Sequence, residues 1–476
     1  MFISERTKIK GNPLWTHRNT AKKFNMKWLK YFLLLLSSQI MAQNNSPSVS
    51  LHDLLKQAEA NYPLLKSKAL DVQAAQKGVE ISRSTFIPTL DASYQINHAT
   101  YNNITGMVYP QFIIPISGPP SSGNNMNGVF GSAASLLLNW QPFTFGQRKA
   151  QVDYSKANYQ YITADAQNEI FQHKVKVINA YLDLLTATEL VKVYEGNYLR
   201  AETNFSLART LVVNGIKPGV DSALFKSEIS RAKIELLNSR KLKQQSIIIL
   251  SELLGSDVNI IVNDSSYFRK LPSLLISPDS LKNPLFSLYN SNIELSKSRK
   301  KMLDRTIMPT LGVWGTTYAR GSDVQSGGII NANDGLSFQR YNYGVGLQLS
   351  IPLLQIARIR PQLHQQEFLI RSNAERLNNV SLQLRKQLEI ADTTLNNALA
   401  IAKESPMLIE SASYSYISLL SRYQSGLANY ADLIQAQYIL IKAETENKTN
   451  YMEVWKALLY KAAVKGDLNL FLNQVN

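Results

Sequence analysis

The 476-residue sequence contains no cysteine. That excludes disulfides, thiolate metal sites, cysteine nucleophiles and a lipid-carrying N-terminal cysteine. Histidine is sparse: His17, His52, His98, His173 and His364 have no metal-ligand spacing, and there is no Gly-x-Ser-x-Gly or phosphate loop. Catalysis and cofactors are therefore not expected, and His173 and His364 read as packing or surface residues. Beyond residue 42 no run of about 18 apolar residues occurs, so a helical membrane span is not expected. Barrel strands escape that test, because only alternate residues face lipid. Basic runs interleaved with aromatics are missing too. Of the net charge of +16, residues 1–42 carry much, with eight Lys/Arg against one acid; without them +9 remains, scattered along the chain. Nucleic-acid partners need clustering and are not expected.

What is present begins with an export signal. Met26-Lys27-Trp28-Leu29-Lys30, the short apolar stretch Tyr31–Ile40 and Met41-Ala42-Gln43 have the basic start, apolar core and small residue at the cut of a signal peptide. Translation is expected to start at Met26, with residues 1–25 an upstream extension, and the mature chain near Gln43.

The chain then alternates two kinds of pattern. Tyr343, Val345, Leu347, Leu349 and Ile351 alternate with Asn342, Gly344, Gly346, Gln348 and Ser350, the period of a strand with one apolar face. After Pro352 the period becomes helical up to Gly426, with a kink expected at Pro406. Leu377, Val380, Leu384, Leu388, Ala391, Leu395, Ala398 and Ala402 form its coiled-coil-like stripe. A helix of roughly 70 residues runs ~100 Å, too long for a compact domain. The same junction occurs earlier: Ala134, Leu136, Leu138 and Trp140 alternate, then Pro142 leads into a helical run carrying Phe171, Val175, Ile178, Leu182 and Leu185 and ending before Gly215.

This is an internal repeat with a period of roughly 210–220 residues, far longer than a solenoid unit. Thr306–Leu311 echoes Thr85–Leu90, Arg358 matches Arg148, and Gly426 and Asp432 echo Gly215 and Asp221. The expected organisation is an extension and signal over 1–42, a first repeat over 43–255, a connector over 256–280, a second repeat over 281–465 and a tail over 466–476. Each repeat reads as helix, two strands, long helix, shorter helix. The residues around His98–Gly128 read as a long exposed loop. On the helix over 220–254, Ala223, Ile229, Ala232, Ile234 and Leu237 are expected inward. In each repeat the two shorter helices, stacked end to end, would pair with the long one.

Four strands cannot close a barrel, and an open edge in lipid leaves backbone groups unsatisfied at several kcal/mol each. Closure begins at about eight strands. A trimer, supplying twelve, is the simplest oligomer that fits.

The residues around Pro88, the junctions Trp140-Gln141-Pro142-Phe143 and Ser350-Ile351-Pro352-Leu353, and the turn Tyr423–Leu433 resemble the TolC-like outer membrane efflux protein family over essentially the whole mature chain. The resemblance implies an α+β membrane protein: a homotrimer whose 12-stranded transmembrane β-barrel continues into an α-helical barrel crossing the periplasm of a Gram-negative bacterium. It implies a periplasmic adaptor and an inner-membrane transporter as partners, and a passive duct for efflux of small molecules. A type I protein-secretion outlet of the same fold stays open, as does, from another class, a periplasmic coiled-coil adaptor or scaffold, although no lipoyl-like β-domain is evident.

The two turns would form the periplasmic mouth. By the same resemblance Asp432 and Asp221 match acidic ring positions that attract cations, Tyr423 keeps an aromatic, Gln435 replaces a second acid and Ala428 replaces a locking basic residue. Arg422 and Lys217 are candidate substitutes for that lock. Asp432 has an alternative role with Asn429 in capping the helix that follows. Gly215 and Gly426 are expected to end helices in the left-handed conformation, and with Leu427 and Asn429 to meet the adaptor.

Overall fold

The computed structural model describes residues 50–102, 121–256, 262, 264–273, 282–325, 329–332 and 334–474. The signal and extension over 1–42, the centre of the loop at 98–128 and parts of the connector and tail lie outside them. Within the unit Ser48–Asn476 the elements are α1 (Leu51–Asn61), α2 (Pro63–Ser84), β1 (Thr89–Thr100), β2 (Gly128–Phe143), α3 (Gln147–Val213), α4 (Gly219–Leu254), α5 (Pro284–Arg305), β3 (Thr310–Ser322), β4 (Arg340–Ser350), α6 (Gln355–Gln424), α7 (Tyr430–Lys465) and α8 (Asn469–Leu472).

The repeat is visible as geometry. Helix α3 has 67 residues and α6 has 70, each roughly 100 Å at 1.5 Å per residue. Helix α6 runs unbroken through Pro361 and Pro406. Its expected stripe faces inward: Val380, Leu384, Ala391, Leu395 and Ala402 are buried. Along α3, α4 and then α2 lie in succession, tied by Arg240–Glu195, Lys68–Asp165 and a Ser82–Ser155 hydrogen bond. Along α6, α7 and then α5 do the same, through Lys461–Asp392 and Lys300–Glu367.

Where the shorter helices meet, a left-handed glycine lets the backbones touch. A Cβ on Gly255 (φ 62°) would sit 2.9 Å from the carbonyl oxygen of Asn61, and one on Gly466 (φ 78°) 2.3 Å from the Cα of Asn283. Asn283 completes the second joint: its amide donates to the carbonyls of Ala463 and Val464, and its oxygen caps Leu285 N–H.

The main core lies at mid-height, where α1, α3, α4, α6 and α7 converge. Val177, Ile178, Leu182 and Leu185 of α3 pack there with Leu54, Leu250, Leu254, Leu395, Val454 and Trp455. The segment expected to be an irregular connector contributes as well: Tyr267 and Phe268, on a short 3-10 turn, are buried, and the carbonyl of Tyr267 accepts from the Trp455 indole at 3.0 Å. The expected tail is likewise more than a tail, since α8 sends Phe471 fully into this core. Both segments are short and lack periodicity, so their apolar residues carry no pattern a sequence reading can use.

The four strands form one antiparallel meander in the order β1-β2-β3-β4. Register aligns their alternations: Leu90 pairs with Leu138, Leu138 with Gly315, Gly315 with Val345, and beside this row Leu311 pairs with Leu349 and Val313 with Leu347. All the alternating apolar residues therefore share one face. That face is bare, with Tyr343 89%, Val345 80% and Leu347 74% exposed. Burying such a side chain is worth about 1.5–3 kcal/mol, so an apolar face of this extent is not suited to water. No strand pairs with the outer edge of β1 or β4 among the described residues. Among those residues, too, no helix is long and apolar enough to cross a membrane.

One expectation holds only in part on α4: of the five residues expected inward, Ala232 is buried and Ile229 half-buried. The buried stripe of the helix is Asp221, Phe225, Glu228, Ala232, Leu236 and Ser239, whereas Ala223 is exposed and Ile234 and Leu237 are 59% and 54% exposed. The helix has two faces with helical spacing, and the large apolar residues Ile234 and Leu237 lie on the one that points away from this chain.

Candidate gate at the paired helical turns

Each long helix leaves the sheet and ends, a helix length away, in the same kind of turn. In the first, Gly215 (φ 72°) ends α3 and Ile216 N–H donates back to Leu211 C=O at 2.9 Å. In the second, Gly426 (φ 78°) ends α6 and Leu427 N–H donates to Arg422 C=O at 2.8 Å. Both are Schellman closures, in which a left-handed residue satisfies the last carbonyls of the helix.

The two turns are fastened to one another. The Tyr423 hydroxyl, from the last turn of α6, donates to the Asp221 carboxylate, in the first turn of α4, at 2.9 Å. Both residues are buried, and Phe225 packs edge-on against Tyr423 and Tyr430 at 5.6 and 4.8 Å between ring centres. Lys217 closes the outside of the pair: its ammonium donates to Ala428 C=O at 2.8 Å and lies 4.9 Å from the centre of the Tyr423 ring. Ala428 thus takes part through its backbone although its side chain carries no charge. Of the two candidate basic residues, Lys217 is in contact, while the Arg422 side chain is exposed.

Further layers follow up the helices. The hydroxyls of Tyr430 and Tyr438 donate to the two carboxylate oxygens of Glu228, and Arg231 donates to the Tyr438 hydroxyl at 2.9 Å. Next, buried Asn204 donates to Gln437 at 2.8 Å and accepts from the Tyr416 hydroxyl at 3.1 Å, and Gln437 donates to Asn197. Arg200 then grips Glu444 with two guanidinium nitrogens. Burial, reinforced by Asp221, pushes the Tyr423 phenol up; burial and then Glu228 push Tyr430 up to about 12 and raise Tyr438 as well. All three remain hydrogen-bond donors at neutral pH.

The other expected residues sit on the outer surface of the second turn. Asp432 is exposed and forms a reciprocal capping box with Asn429, its N–H donating to the Asn429 side chain at 2.9 Å. Gln435 is exposed on the next turn, and Leu427 is 71% exposed at the tip. Asp221 differs from Asp432, since its carboxylate is committed to Tyr423 between the hairpins. A sequence reading misses Glu228, Tyr438, Asn204 and Gln437, although one signal was available: Asp221 and Glu228 recur seven residues apart on the face of Phe225, and acids on a buried stripe require partners.

Buried hydrogen bonds across an interface between two hairpins can be exchanged for water only if the hairpins part. Among the described residues no cluster of His, Asp or Glu is placed to hold a metal ion.

Residues 54–256 match the model of the outer membrane efflux proteins, a span that takes in the sheet-to-helix junction and the first turn. Over those residues the chain is similar to the outer membrane efflux proteins. The fold of the described residues agrees with that of TolC-like channels. The Campylobacter jejuni CmeC outer membrane channel superposes with a TM-score of 0.70 at 13% identity, covering 94% of this chain and 89% of that one. The Vibrio cholerae outer membrane protein VceC gives 0.69 at 14% identity over 88% and 96% of the two chains. The open state of the Neisseria gonorrhoeae MtrE outer membrane channel gives 0.68 at 14%, over 88% and 89%. No curated protein matches the sequence significantly.

Proposed function

We propose that the protein is the outer membrane channel of a tripartite export system, a passive homotrimeric duct for efflux of small molecules. The observation that carries this reading is the sheet: four strands in register, one face largely apolar and strongly exposed along β4, and no partner strand on either edge among the described residues. In lipid, backbone groups on an open edge cost several kcal/mol each. Three chains would pair β1 of one with β4 of the next and close twelve strands, with the apolar face against lipid. The outward Ile234 and Leu237 of α4 would then meet helices of a sister chain.

In this reading the sheet lies in the outer membrane and the helices extend into the periplasm, with the paired turns as the inner mouth. The Tyr423–Asp221 and Lys217–Ala428 bonds hold that mouth closed, and Asp432, repeated three times around the axis, gives it a cation-attracting rim. Gly215, Gly426, Leu427 and Asn429 present the tips to a periplasmic adaptor. Because the chain has no nucleotide-binding loop, energy comes from an inner-membrane transporter, which also selects the cargo. The test is reconstitution into planar bilayers after detergent extraction from outer membranes. Discrete conductance steps from a heat-modifiable trimer support the reading; a protein that salt alone releases from membranes and that conducts nothing refutes it.

A further inference from the structure

The face of the sheet opposite the apolar one is polar, and its charges are unevenly placed. On it Arg320 of β3 and Arg340 of β4 are direct cross-strand partners, at the end of the sheet farthest from the helices. Like charges directly opposite destabilise a strand pair, and neither guanidinium forms an ion pair among the described residues. Arg340 donates to the Gln339 carbonyl, and Arg320 lies 5.8 Å from the centre of the Tyr318 ring, two residues along the same face. The acids nearest in sequence are already engaged. Asp323 accepts from the backbone N–H groups of Phe130 and Gly335, both at 2.7 Å, and Asp334 accepts from Gln325. The acid on the polar face of β1, Asp91, pairs with Leu137 near the helical end of the sheet. Residues 101–127, which join β1 to β2, contain no charged residue at all.

We propose that Arg320 and Arg340 form an anion-binding ring at the outer end of the channel lumen, favouring the exit of anionic solutes. The inference rests on the trimeric-duct reading, which turns one arginine pair per chain into six guanidiniums around one aqueous passage. A ring of one sign in a narrow lumen raises the local concentration of the opposite ion and sets selectivity. The aromatic side chains of Trp314 and Tyr318 precede Arg320 on the same face of β3. Gly346, the partner of Trp314, leaves room for its indole, since a Cβ there would lie 2.6 Å from the ring. The duct would thus carry opposite signs at its two ends: carboxylates at the turns, guanidiniums at the exit.

The test uses full-length trimers in planar bilayers under a KCl gradient, comparing the parent with R320Q/R340Q and with R320K/R340K. The glutamine variant should lower the chloride-to-potassium permeability ratio at least about threefold at low ionic strength, and the lysine variant should keep it. Inorganic tripolyphosphate added to the barrel side should block the parent and the lysine variant, and fail against the glutamine variant. Parent channels that conduct but are not blocked from that side overturn the inference even if no variant folds. So does an unchanged permeability ratio in the glutamine variant. Absence of any conductance in the parent removes the duct reading instead.

Discussion

Replacing Tyr423 with Phe removes one hydroxyl and little else. The ring stays buried against Phe225, the left-handed turn at Gly426 is untouched, and Lys217 keeps its carbonyl partner. What is lost is the 2.9 Å bond to Asp221, whose carboxylate then sits in a buried position without that donor. A hydrogen bond to a charged group is worth about 1.5–3 kcal/mol net, so separating the turns should become roughly ten- to a hundredfold more favourable per chain. The assay is the open probability of single Y423F trimers in bilayers at fixed voltage, beside thermal unfolding of the same preparation. The account predicts frequent opening with a small loss of thermal stability. Open probability within about twofold of the parent, where the expected shift is at least tenfold, refutes the assignment of this bond as the lock.

Other perturbations separate the remaining parts of the account. Lys217→Met should open the mouth in the same assay but less than Y423F, because its contact is nearer solvent. Val345→Arg, on the apolar face of β4, should cost about 2–4 kcal/mol in the bilayer and reduce assembled trimer in outer-membrane fractions. Gln348→Arg, on the polar face of the same strand, should not. Gly466→Ala should lower the melting temperature more than Gly426→Ala: both residues are left-handed, worth roughly 1 kcal/mol, but only the first would drive a Cβ into the Asn283 backbone. His173 is buried, stacked on Tyr62 and bonded to Leu253 C=O, and burial lowers its pKa from the ordinary value near 6.5. Its lowered folded pKa means the unfolded chain binds the proton first. Its contribution to stability is therefore complete above pH 6.5 and lost as pH falls toward the folded value. His173→Gln should flatten that part of a melting-temperature profile.

The sequence was most legible where a period was long. Alternation along β2 and β4 and the three-and-four steps of α6 needed only the chain itself, and the echo of Gly215 and Asp221 in Gly426 and Asp432 located both turns. It was least legible where meaning depended on a partner from the other repeat. Nothing near Tyr423 announces Asp221, two hundred positions away, and nothing near Lys217 announces the Ala428 carbonyl. On α4, two faces share one period, and the polar stripe of Asp221 and Glu228 turned inward because Tyr423, Tyr430 and Tyr438 wait there to satisfy it. Tyr267 and Phe471 sit in segments too short for any period.

In the trimeric-duct reading the four strands of each chain are completed by strands of sister chains. Light scattering on detergent-extracted protein, corrected for bound detergent, measures this most directly. Three chain masses are expected in one particle that dissociates only on heating. A single chain mass, stable in water without detergent, contradicts it.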